Sequence, residues 1–228
     1  MINLGVLASG RGSNLQAIMD AIDDGRLDAS VKVVVSDNPS AFVLERAVGR
    51  GIYAVVIKKE DFPSKEAFDR EMVRVLTEAG VELVVLAGFM RILSPVVIDA
   101  FPMRIMNIHP SLLPSFPGLE VQKKALEYGV KFSGCTVHFV DRGVDTGPVI
   151  IQAVVPVVDN DTVESLSDRI LAEEHRIYPQ AIKLFAEGRL NVKGRRVFLR
   201  GHPGADPNFC AENPAVFNPP EKCKRSPS

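Results

Sequence analysis

A chain of 228 residues has room for one domain or two closely fused halves. Its 46% hydrophobic and 24% charged residues describe a soluble globular protein with material for a real core, and 27 Lys and Arg against 28 Asp and Glu leave no overall field for nucleic acid. No apolar run approaches the ~18 residues of a membrane span. The opening MINLGVLASG carries no basic leader, and the widely spaced Cys135, Cys210 and Cys223 fit neither a disulfide framework nor a CxxC metal site. The expectation is a cytoplasmic protein with inert thiols, bound neither to nucleic acid nor to membrane.

In chain order, short β-branched runs alternate with longer stretches of helical spacing. Residues 2–8, 31–36, 52–57, 82–88 and 104–109 are predicted strands, and their near-continuous apolar character suits strands covered on both faces. Between them, residues 13–25, 41–51 and 64–80 carry helical periodicity and stop at Gly25, Gly51 and Gly80. Strands separated by helices imply a Rossmann-like, doubly wound α/β fold with a mainly parallel sheet. After Pro117 the rhythm changes. Residues 119–129 read as a helix, and FSGCTVHFVD and GPVIIQAVVPV read as two strands joined by DRGVDT, so the sheet becomes mixed, with antiparallel strands, at its C-terminal end. A long helix over residues 162–187 follows, with Asp161 as its expected cap. The sequence thus divides into a single domain over 1–194, with halves 1–100 and 101–194, and an irregular tail over 195–228 rich in Pro, Asn and charge.

The first strand runs into the first helix through ASGRGSNLQAI. Gly10, Gly12 and Ser13 let backbone N–H groups approach a ligand, and the helix starting near Ser13 points its positive end at the same spot. A single phosphate is the natural guest, with Ser13 and Asn14 as added donors. A glycine turn with a serine cap is the plain structural alternative. A dinucleotide fingerprint is the functional one, with Asp37 as its ribose-binding acid, but Leu15 stands where that fingerprint needs its third glycine.

The stretch NIHPSLLPSFPG puts Asn107 and His109 on one face at the carboxyl end of the fifth strand, where open α/β sheets bind ligands. An imidazole moves protons near neutral pH, and an amide donates to an oxygen gaining negative charge. Such a histidine needs a carboxylate to hold its tautomer and favour its charged form. Asp145 in the glycine-flanked loop is the candidate, with Asp141 as the alternative. His138, mid-strand in TVHFV, reads equally as a second polar lining group or as an exposed strand residue. With no nucleophile motif and no metal cluster, this set suits acyl-type transfer to a phosphate-bearing acceptor that brings its own nucleophile.

SGRGSNLQAI, VLAGFMRIL, NIHPSLLPSFPG, GCTVHFVDRGVDTGPVIIQ and EEHRIYP, in this order across residues 2–190, resemble the phosphoribosylglycinamide formyltransferase family. The resemblance implies formyl transfer from 10-formyltetrahydrofolate to the amine of glycinamide ribonucleotide in purine biosynthesis, by small-molecule chemistry without a metal, in a monomer or homodimer. It implies Asn107, His109 and Asp145 as the catalytic group. Gly12, Ser13 and Asn14 would hold the ribonucleotide phosphate, and Glu174 the ribose. The folate side would comprise Met90, Arg91, Ile92, Leu93, Asn107, Val140, Asp141, Arg142, Gly143, Val144 and Asp145, with Lys65 at a position where relatives often carry arginine. Two similar groups fit less well. Folate hydrolases with the same trio carry an added N-terminal domain, and methionyl-tRNA formyltransferase lacks the GSN loop. A non-catalytic nucleotide-binding module or a nicotinamide-dependent reductase is the expectation from outside the family.

Overall fold

The computed structural model describes residues 1–200. Nine strands form one sheet: β1 (Ile2–Leu7), β2 (Ala29–Ser36), β3 (Tyr53–Val56), β4 (Leu83–Leu86), β5 (Ile105–His109), β6 (Phe132–Phe139), β7 (Val149–Pro156), β8 (Leu190–Lys193) and β9 (Arg196–Leu199). Their order is β3-β2-β1-β4-β5-β6-β7-β9-β8. The first five strands are parallel to one another, whereas β6 runs antiparallel to both β5 and β7. The direction of winding reverses between β1 and β4, so a crevice opens at their carboxyl ends.

Helices α1 (Ser13–Asp23), α2 (Phe42–Gly49), α5 (Val121–Tyr128) and α6 (Val163–Ala186) cover one face, and α3 (Lys65–Glu78) and α4 (Pro95–Ala100) the other. Period-two alternation feeds both layers: Met106 and Ile108 of β5 join the first core, while Ile105 joins the second. Asn107 and His109 share the face of Ile105. Close packing explains Gly5 in β1, where a Cβ would come within 2.5 Å of Leu76. Cys135 is fully buried in the first core, and burial pushes its thiol far up, so it packs as an inert apolar residue.

Three sequence expectations change. Regular structure passes the boundary placed at residue 194: β8 and β9 form an antiparallel hairpin, and β9 touches β7 at Val149. Its strands are only four residues long, too short to show their alternation. The rest of the expected tail, with Cys210 and Cys223, lies outside the described residues. The long helix is capped by Thr162, whose side chain accepts Ser165 N–H while Ser165 Oγ accepts Thr162 N–H. Asp161 instead pairs with Arg169, which holds its carboxyl well below the usual range. Helix α4 was not expected as a separate element; its six residues are too few to show a period.

Candidate active site

A cavity of about 580 Å³ opens at the carboxyl ends of β1, β4 and β5. Asn107 and His109 reach it from the last turn of the β5 pleat, and the antiparallel return of β6 sets His138 directly opposite Asn107. Three polar side chains therefore share one face of the sheet, and all three border the cavity.

His138 is fully buried, and burial lowers its pKa, so the neutral ring is favoured. Its Nδ1–H donates to the Phe139 carbonyl at 2.8 Å. Nε2 is then the acceptor, and it takes an N–H from Asn107 Nδ2 at 3.2 Å. That bond fixes which way the Asn107 amide points and leaves one N–H free.

The His109 ring is almost wholly buried yet borders the cavity. Its Nε2–H donates to the Phe116 carbonyl at 2.9 Å, and Nδ1 lies 3.4 Å from Asp145 Oδ2. Asp145 arrives from the connection between β6 and β7. It adopts φ +54°, a left-handed conformation that aspartate tolerates, and accepts the Gly118 N–H at 2.9 Å. Asp141, the alternative acid, closes its own loop by accepting Gly143 N–H and Thr146 Oγ1. Asp145 is thus the carboxylate that meets the ring.

On the β1 side, Gly12 begins α1 in the left-handed region, and a Cβ there would come within 2.6 Å of Val43. Glycine at this position serves the packing of α1 on α2 as well as access to the helix end. Asn14 Nδ2 donates to Glu174 Oε2 at 2.8 Å, and both residues are buried at the cavity wall. Burial raises the Glu174 pKa, with the Asn14 bond opposing it. Asn14 Oδ1 is buried without a hydrogen-bond partner, which makes it an acceptor for an incoming hydroxyl or amine.

The remaining wall is mixed, with apolar residues at the mouth. Met90, Ile92, Leu119 and Val144 are exposed at its mouth, with Leu93 buried behind. Arg91, Val140, Asp141 and Gly143 also line it. Gly12 and Ser13 lie just outside, next to Asn14. Two expected folate residues stand apart: Arg142 turns to Asp99 at 3.0 Å, and Lys65 is an exposed first residue of α3 that does not border the cavity. Residues 118–122 line it unexpectedly. Leu119 and Glu120 read from the sequence as helix, but Glu120 is left-handed at φ +56° and the helix starts only at Val121.

A formyl transferase family model matches residues 2–182, which include every residue of this cavity. Phosphoribosylglycinamide formyltransferase of Escherichia coli K12 is 45% identical over 200 residues, with 88% of this chain and 94% of the relative covered. This chain belongs to the phosphoribosylglycinamide formyltransferases. Glycinamide ribonucleotide transformylase 1 from Symbiobacterium toebii superimposes with a TM-score of 0.86 at 58% identity, covering 87% of this chain and 94% of that one. The trifunctional purine biosynthetic protein adenosine-3 of Drosophila pseudoobscura is 52% identical over 187 residues, where the formyltransferase chain covers only 14% of its length. In this family setting, Glu174 and the β6–β7 connection both fall inside the matched span, whereas β8 and β9 lie beyond it.

Proposed function

We propose that the cavity holds glycinamide ribonucleotide beside 10-formyltetrahydrofolate and passes the formyl group directly between them, as a cytoplasmic step of purine biosynthesis. The acceptor lies toward α1, its phosphate on the backbone of Gly12, Ser13 and Asn14 and its ribose on Glu174 and the unpaired Asn14 oxygen. The donor's flat ring lies against Met90, Arg91, Ile92 and Leu93 and the loop that includes Val140, Gly143 and Val144. Residues 1–199 act as one formyltransferase domain, the first half supplying the phosphate loop and the second the catalytic group.

The acceptor amine attacks the formyl carbon, a C–N bond forms, and the carbonyl electron pair moves to oxygen. The free N–H of Asn107 donates to that oxygen, a contribution of roughly 3–4 kcal/mol for a good donor. Collapse breaks the bond to the folate nitrogen, which takes up a proton as the amine loses one. Because Nε2 of His109 is anchored on Phe116, the proton exchanged is the one on Nδ1, beside Asp145. The carboxylate stabilises the charged ring while the oxyanion exists. No covalent enzyme intermediate is required.

The observation that carries this reading is the convergence of Asn107, His109 and Asp145 on one cavity wall. A formyl-transfer assay with and without glycinamide ribonucleotide tests it. Donor consumption should require the acceptor. Equal consumption without it would make the protein a hydrolase.

A further inference from the structure

Asp37, at the carboxyl end of β2, has no part in the reaction above, and it does not border the cavity. Its carboxylate is only 9% exposed and is held by two donors, Ser9 Oγ at 2.6 Å and Arg91 Nε. Ser9 spends its single hydroxyl proton on Asp37, which leaves a lone pair to accept the Met90 N–H at 3.1 Å. The Ser9 N–H in turn donates to the Gly88 carbonyl at 3.1 Å. Ser9 and Asp37 therefore pin the loop after β4 at Gly88, Met90 and Arg91.

That loop needs pins. Met90 is 70% exposed and Ile92 62%, so packing does not fix them. The clamp sits where β1, β2 and β4 end side by side, with Ser9 directly before Gly10 of the loop into α1. The Arg91 guanidinium also lies 5.7 Å from the Phe68 ring centroid, which ties the same loop to α3.

We infer that Asp37 is a positioning residue for the formyl donor, acting through Ser9 on the backbone at Met90 and through Arg91. This rests on the proposed seat of the folate against residues 88–93. Electrostatic neutralisation of Arg91 alone is a different role, and Ser9→Ala separates the two, since it removes the Met90 pin and leaves the ion pair.

The test titrates tetrahydrofolate calorimetrically into the wild type, Asp37→Ala, Asp37→Asn and Ser9→Ala, and measures both KM values and kcat for each. Asp37→Ala should weaken tetrahydrofolate and raise the donor KM about tenfold, and Ser9→Ala about fivefold. Asp37→Asn should fall between wild type and Asp37→Ala, because its amide oxygen still accepts from Ser9. The acceptor KM and saturated kcat should stay within twofold. Equal rises in both KM values, or a Ser9→Ala variant that binds tetrahydrofolate like wild type, would overturn the inference, and Ser9→Ala decides even where Asp37→Ala fails to fold. A wild type that does not bind tetrahydrofolate would instead sink the donor assignment on which the inference stands.

Discussion

The parallel and antiparallel parts of the sheet contribute to the cavity in different ways. Strands β1, β2 and β4 stop together at one edge, and what they offer there is backbone: a helix start at Gly12 and a loop at residues 88–93. Strands β5 and β6 run past each other, so they offer side chains from within the sheet, with Asn107 opposite His138 and His109 opposite Thr136. The β6–β7 connection then folds Asp145 back over His109. On the proposed function, the parallel strands build places to bind, and the antiparallel return brings together groups that are 38 residues apart in sequence from Asn107 to Asp145.

If that division holds, substitutions on the antiparallel side should strike kcat hardest. His109→Ala should lower kcat about a thousandfold and Asn107→Ala at least a hundredfold, with acceptor KM within a few-fold of wild type in steady-state assays. A large rise in acceptor KM without loss of kcat would place these groups on the binding side instead.

A pH series sharpens the comparison further. Burial depresses the His138 pKa, so the folded state prefers the neutral ring. The stability this gives is fully present above the ordinary histidine value of about 6.5 and is lost as pH falls through the lower folded value. Melting temperature should therefore drop on acidification below that range, and less so in His138→Gln. His175, also lowered by burial, acts in the same window, so only the part removed by His138→Gln belongs to the site. Activity should fall over the same interval, because a protonated His138 no longer accepts the Asn107 amide. An identical acid response in the variant would detach His138 from Asn107.

The smallest effect is expected beneath the junction of the two parts. Tyr178 is fully buried in α6, and its hydroxyl reaches the carbonyls of Leu86 and Met106, each at 2.9 Å. Tyr178→Phe should cost about 1 kcal/mol in denaturant unfolding. A neutral substitution would show that β4 and β5 hold their ends without it.

Much of this was legible because periodicity and position carry information of different kinds. Strands β1 to β5 announce themselves as β-branched runs between amphipathic helices, and Asn107 and His109 stand out because a core strand has no structural use for either. The pairing of β5 with β6 is a long-range contact, so the sequence leaves His138 undecided between lining and exposure, and only register settles it. The sequence marks Asp37 only as a possible ribose ligand, because its position at a strand end is informative while its partners, Ser9 and Arg91, lie 28 and 54 residues away. Lys65 and Arg142 carry charges that sequence cannot aim, and the left-handed turn at Glu120 is invisible behind helical spacing.

The central claim is that Asp145 acts through the ring of His109, and a double-mutant cycle tests it most directly. Asp145→Asn alone should reduce kcat about ten- to a hundredfold, and adding it to His109→Ala should cause no further loss beyond about twofold. Losses that multiply in the double variant would mean that the two residues work independently, and the proposed chemistry would be wrong.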